Sequence, residues 1–599
     1  MPDSSQVTPV AFNCEGGLVL NRSTFLMQPG EALELENFEP DIEGGYRRIN
    51  GFSKYVSAVV PQTSSVSEKV LMVATFANKV VAARGTNIFQ ATPGGSSWTT
   101  IDSSRTSAGK YNFERYNFDG NDKLIVVDGT NAPTIFNTSF TATDVAPSST
   151  GTGQSTTLLV AISSSDTLTG SESHTITVAD TSQFNDPDSG TASLIIGDEQ
   201  FTYENISGNT FTHVTRARNS SVAADHAVGT LVSDLFPPAV AGAKFVVAFK
   251  EHMFYAGMSA NKQELVFSAP FIENSFSIAI GAGSIKVDDE ITGLKVFRED
   301  LFIFCQNRIF KLSGSSQATF SVTAVTRDIG CINGDTIQEF AGDLIFLGPD
   351  GLRTIAGTAR IGDVELGTIS SNVQSLFDDN LDSASEFESV VIPDKTQYRI
   401  FFTKSGTADN ATQGVICVLK GQRFEFSKLR GIKPASTDTF VSAGDVITLH
   451  GAYSGGYVYR QESGNDFDGT AILGKYRGPD MTFGDAGIRK HMQRVIVNFK
   501  PESTIDADLF LRYDYESKDS ARPAAYELDS ADVAAIYGSA TYGAGSTSTG
   551  TYGGASQPLV RQAVEGSGFA VALRVNDGGS TAPYSLKGFQ LEYQTGARR

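Results

Sequence analysis

The sequence predicts an all-β protein: a β-propeller core with an inserted small β domain and a C-terminal β sandwich-like module. Three observations lead there. Of 599 residues only 19% are charged, while Gly reaches 59 and Phe 40, a mixture that favours strands and tight turns over long charged helices. One pattern, a Phe, a turn and a run of about four apolar residues, recurs along the chain. Beyond residue 470 that rhythm gives way to longer strands of alternating polarity.

The recurring pattern has four close copies. Phe76 precedes Val80-Val81-Ala82-Ala83, Phe249 precedes Met253-Phe254-Tyr255-Ala256, Phe297 precedes Leu301-Phe302-Ile303-Phe304, and Phe340 precedes Leu344-Ile345-Phe346-Leu347, each across three turn-like residues. Phe118 before Leu124-Ile125-Val126-Val127 and Phe440 before Val446-Ile447-Thr448-Leu449 are looser copies. A hairpin around Pro393-Asp394-Lys395, leading to Tyr398-Arg399-Ile400-Phe401-Phe402, fills the double interval between 340 and 440. Spacings of 42 (76 to 118), 48 (249 to 297) and 43 (297 to 340) match four-stranded propeller blades.

The interval of 131 residues from 118 to 249 is too long for one blade. Residues 147–238, bounded by Pro147-Ser148-Ser149-Thr150-Gly151 and Phe236-Pro237-Pro238, read as an inserted β domain. Its strands are expected at Thr175–Val178, Ser193–Ile196, Gln200–Tyr203 and Thr210–Val214. The propeller then occupies 61–146 and 239–470, after an extended segment at 1–60. In 471–599 the alternation runs through Val495, Val497, Phe499; Leu509, Leu511, Tyr513, Tyr515; Phe569, Val571, Leu573, Val575; and Phe589, Leu591, Tyr593, as in a sheet with one solvated face. Tyr537 to Gly554, a Gly, Ser, Thr and Tyr tract, is expected to be an exposed loop.

Charge and cysteine content exclude several functions. With 47 Lys plus Arg against 67 Asp plus Glu the net charge is −20, which argues against a protein that grips nucleic-acid phosphates. Cys14, Cys305, Cys331 and Cys417 form neither a disulfide framework nor a zinc pattern and read as buried thiols. Met1 to Asn13 shows no secretory signal and no run is long enough to span a membrane, so a protein made in the cytoplasm is expected.

Searching for chemistry gives no catalytic, cofactor-binding or metal-binding residue. Gly469, Gly474 and Lys475 mimic part of a phosphate loop, but Tyr476 stands where Ser or Thr is needed. His174, His213, His226, His252, His450 and His491 lack zinc spacing. Asp119-Gly120-Asn121-Asp122, Asp186-Pro187-Asp188 and Asn465-Asp466-Phe467-Asp468-Gly469 offer oxygen ligands for calcium without the full loop spacing, and read as tight turns. Paired carboxylates at a propeller centre remain open as a glycosidase site, although with Trp98 alone the chain is poor in sugar platforms.

The two ends of the chain resemble a known family. Gly16-Gly17-Leu18, Gln28-Pro29-Gly30-Glu31-Ala32, Asn37-Phe38, Gly44-Gly45-Tyr46-Arg47-Arg48 and Gly51-Phe52 are similar to the opening of tail nozzle proteins, the tail tubular protein B-like proteins of short-tailed bacteriophages. Gly588-Phe589-Gln590-Leu591-Glu592-Tyr593 and Gly596-Ala597-Arg598-Arg599 resemble the ends of phage virion proteins. In the insertion, Val178-Ala179-Asp180-Thr181, Phe184, Gly197-Asp198-Glu199, Tyr203, Gly208-Asn209-Thr210, Val214-Thr215-Arg216, His226 and Gly229-Thr230 resemble a small β domain of phage tail proteins.

The resemblance implies a structural virion protein without catalysis, in the virion tail: a homohexamer below an adaptor (tail tubular protein A-like) ring, with residues 1–60 docking to ring partners. Such a ring closes the tail channel, then passes double-stranded DNA during ejection at the host cell surface, and tail fibres are further partners. An acidic channel lining would repel phosphates over a Debye length of about 8 Å, and propeller-rim loops would gate it. The alternatives are a secreted propeller glycan-binding protein or glycoside hydrolase, or another tail or baseplate component.

Overall fold

The Phe repeat is the register of a hairpin. Phe76 lies opposite Lys79, Phe249 opposite His252, Phe297 opposite Asp300 and Phe340 opposite Asp343. Two residues form each turn, not three; the third already begins the second strand. At Ala77-Asn78, Lys250-Glu251 and Ala341-Gly342 both turn residues have positive φ, the twist that suits a two-residue hairpin. All four Phe side chains are buried.

The computed structural model describes residues 7–62, 68–145, 155–233, 240–355, 368–529 and 559–598, apart from positions 104, 107, 108, 183, 185, 188–190, 198, 219, 220, 275, 277–280, 409, 410, 443, 503, 504 and 521. The expected loop from Tyr537 to Gly554 and both borders of the insertion lie outside these residues.

Among the described residues, seven antiparallel meanders form blades. Their first strands are Met72–Phe76, Asn112–Tyr116, Phe245–Phe249, Ile291–Phe297, Gln338–Phe340, Glu386–Ile392 and Pro434–Ser442. These pack one on the next around an axis, with the turn Gly334–Thr336 bridging blades four and five, and the strand of blade seven returns to that of blade one. Blade five has three described strands. Blade seven takes its outermost strand, Phe52–Lys54, from the start of the chain, pairing with Tyr459–Gln461. This closure demands glycine at position 51: a Cβ there would lie 1.7 Å from the Asp466 carbonyl oxygen, where van der Waals contact needs about twice that distance.

Blade six does not end at its fourth strand. Glu36 pairs in parallel with Lys428, so the sheet runs on through Glu34–Glu36, Gly474–Arg477, Val571–Asp577, Asp506–Tyr513 and Tyr526–Asp529. A second sheet built on Ile488–Pro501 and Tyr584–Arg598 faces it, also holding Thr8–Asn13, Phe38–Pro40, Tyr46–Arg48, Leu559–Ala563 and Ser567–Gly568. Leu35, Phe38, Tyr476, Val495, Val497, Leu509, Leu511, Val571 and Leu591 fill the core between them. The expected alternation holds for most positions, but Tyr515 is 52% exposed in a turn with φ 57, and Phe569 precedes its strand.

Within residues 8–54, Thr8–Asn13, Glu34–Glu36, Phe38–Pro40, Tyr46–Arg48 and Phe52–Lys54 are strands in the sheets of both bodies. Pairing within the chain satisfies backbone groups that an extended segment would leave open.

The insertion has two small sheets and its own core of Leu158, Ile176, Leu194, Ile196, Phe201, Phe211 and Val232. Strands at Ser155–Thr157, Asn205–Ser207 and Leu231–Ser233 join those expected.

Candidate functional site: the axial channel

Several first strands carry charged side chains at the axis: Glu114 and Arg115 in blade two, Lys295 in blade four, Glu388 in blade six and Asp438 in blade seven. Two cavities, about 680 and 470 Å³, lie along that axis and share Asn112, Phe245, Gly334 and Asp335 as walls. At their junction the Lys110 ammonium, from the approach to blade two, lies 2.7 Å from Asp335 of the blade-five turn and contacts Glu388 of blade six. The Thr437 hydroxyl of blade seven sits 2.8 Å from Glu388 Oε1, and Ser389 Oγ donates to the Asp335 carbonyl at 2.7 Å. Four blades are thus tied at one point.

Burial and the neighbouring Asp335 carboxylate push the Glu388 carboxyl up, against the pull of Lys110. Burial works against the charge on Lys110, but Asp335 and Glu388 outweigh it and hold the ammonium above its ordinary value. Further along, Arg115 pairs with Asp438, which also accepts from the Thr75 amide at 3.0 Å. Glu114 is pushed up to about 7 by burial, opposed by Lys295 and the Ala248 amide. Around the larger of the two cavities Lys69 pairs with Glu386, and Lys262 lies 3.0 Å from Glu290. Charges of both signs line this channel, with each carboxylate of the junction engaged by a cation.

The sequence reading missed this constellation, since its members come from four distant repeats. A signal was present: Glu114, Arg115, Lys295, Glu388 and Asp438 are charged residues in first strands.

The residues weighed from the sequence are placed elsewhere. Gly474 and Lys475 lie in a strand opposite Asp577 and Asn576. Asp119 pairs with Lys123, Asp186 accepts from the Ile206 amide, Asp466 from that of Gly469, and Asp468 pairs with Lys54. No group of three His, Cys, Asp or Glu among the described residues is placed to hold a metal ion. All four cysteines are free and buried; burial pushes Cys305 and Cys331 up to about 12, and Cys14 and Cys417 higher still, which suppresses thiolate chemistry. Trp98 donates to the Ala58 carbonyl within blade one. No described helix is long and apolar enough to cross a membrane.

The chain is an all-β protein whose core is a β-propeller, an assignment that rests on its blades and their closure. No family model and no curated protein matches it. Among solved structures it is similar to Chaetomium thermophilum Raptor (TM-score 0.34, 8% identity, covering 69% of this chain and 29% of that one). It is also similar to the AfRom2 CNH domain (0.30, 8%, 68% and 98%) and to Kluyveromyces lactis Hsv2 (0.24, 7%, 60% and 98%).

Proposed function

We propose that this chain is a structural virion protein, the tail nozzle of a short-tailed bacteriophage, forming a hexameric ring that closes the tail channel and conducts DNA during ejection. One observation carries the reading. The start of the chain, which carries the stretches that resemble nozzle proteins, and its end, which resembles the ends of phage virion proteins, fold into one joint. Thr8–Asn13 pairs residue for residue with Gly588–Tyr593, and Tyr46 and Arg47 lie opposite Leu586 and Ser585. The Gly17 amide donates to the Tyr46 hydroxyl, which donates to the Gly30 carbonyl. Gly51 and Phe52 then carry the chain into blade seven.

The competing reading, a propeller enzyme or lectin acting on glycans, has paired carboxylates available in Asp335 and Glu388. Both face Lys110 in the junction that ties blades two, five and six. DNA in the proposed ring passes along the axis of the assembly, where an acidic lining would repel its phosphates. Locating the chain in particles by electron cryomicroscopy tests the reading: six copies at the tail tip are expected. A soluble monomer that cleaves polysaccharide, and is missing from particles, would overturn it.

A further inference from the structure

The chain carries −20, yet one face of its sandwich is basic. On Ile488–Pro501, Arg489, His491 and Arg494 are exposed while Met492, Val495, Val497 and Phe499 are buried, and these fourteen residues hold no carboxylate. The neighbouring strand adds exposed Arg561, opposite Ile496, while Arg494 lies opposite Ala563. The two guanidinium groups therefore sit diagonally on one face, an arrangement that costs stability. The strand on the other side contributes Gln590 and Gln594, with Glu592 lying 3.5 Å from Arg494.

The inserted module has the opposite character. Residues 155–233 hold nine Asp or Glu against two Arg and no Lys, and Arg216 is already engaged by buried Glu199. The same module exposes aliphatic side chains: Leu159 is 50% exposed, Val160 58%, Val228 61% and Leu231 58%. They lie on or beside the paired strands Ser155–Thr157 and Leu231–Ser233.

We propose that the inserted module of one copy of this chain docks on the basic sheet face of a second copy. Charge complementarity selects and steers the partner, while the aliphatic side chains supply the area that exposed ion pairs cannot. Because the two surfaces differ, a bound pair keeps one unoccupied surface of each kind, and the contact repeats until it closes as a ring. The inference rests on the ring reading above in needing a second copy, and names the surfaces that reading leaves open.

Two variants test it: Arg489→Glu with Arg494→Glu and Arg561→Glu on the face, and Leu159→Ser with Val160→Ser and Val228→Ser on the module. All six side chains are exposed, so unchanged circular dichroism is expected. In sedimentation the wild-type chain should assemble, and less so as salt rises from about 0.05 to about 0.5 M, where screening shortens. Each variant alone should be monomeric. Their mixture should form a 1:1 complex and stop there, since together they keep one intact pair of surfaces. Wild type that stays monomeric, either variant assembling like wild type, or a mixture that stays monomeric would overturn the proposal. So would wild type retarding duplex DNA through these arginines while the face variant still assembles, which would assign the face to nucleic acid. Particles with a six-fold nozzle and variants that still assemble would refute these surfaces and leave the ring reading standing.

Discussion

Lys110 holds its ammonium 2.7 Å from Asp335 and against Glu388, joining blades two, five and six at the propeller axis. Removing that cation leaves two carboxylates facing each other at a point closed to most solvent. Lys110→Met is expected to destabilise the propeller by about 3 kcal/mol, the low end for breaking a buried pair because the lysine retains some solvent contact. Thermal unfolding followed by circular dichroism measures it, and a change near zero would mean the junction is not what ties these blades.

Glu114 gives the propeller a pH dependence. Its carboxyl is raised from 4.5 to about 7 in the fold, so the folded chain keeps a proton that the unfolded chain gives up. Stability from this group is present below pH 4.5 and is lost as pH rises towards 7. Glu114→Gln removes that loss. The variant should exceed wild type by about 1 to 2 kcal/mol at pH 8, since each tenfold change in proton affinity is worth about 1.36 kcal/mol before solvent screening, and should match it near pH 4.

Ring closure depends on Gly51. Any Cβ there meets the Asp466 carbonyl, so Gly51→Ala is expected to detach Phe52–Lys54 from blade seven at a cost of about 3 kcal/mol or more. Hydrogen exchange should show Val458–Gln461 losing protection while the inserted module keeps its own. Unchanged protection at Val458–Gln461 would contradict the closure.

The inserted module has a separate electrostatic centre. Glu199 is buried, accepts two bonds from Arg216 and one each from the amides of Ala217 and Ala224, and lies 2.8 Å from His226 Nε2. Burial opposes its charge, but Arg216, the Ala224 amide and His226 together lower its pKa below 4.5. The stability it supplies is therefore present above pH 4.5 and lost as pH falls through the lowered value. Glu199→Ala should destabilise the module by about 3 to 5 kcal/mol, since it strands Arg216 inside. Exchange protection at Ala192–Ile196 should fall while that of the propeller stays.

The blades were legible in the sequence because their signal is local. Phe76, Phe249, Phe297 and Phe340 stand at fixed distance from a two-residue turn, and a hairpin needs nothing else to fix its register. What escaped is non-local. The pairing of Lys54 with Tyr459 and of Asn13 with Gly588 spans hundreds of residues, and nothing in Thr8–Asn13 alone names its partner strand. Lys110, Asp335 and Glu388 meet only once the ring closes. Tyr515 shows the converse: it continues a period-two pattern after the strand has ended, because Asp514, Tyr515 and Glu516 all turn to positive φ.

The number of chains in the native assembly tests the central proposal most directly. Native mass spectrometry of the purified assembly should give six chains of 63.9 kDa, and image averaging should show six-fold symmetry around an axial channel. A monomer at every concentration and salt, or a closed assembly of any other symmetry, would contradict the nozzle.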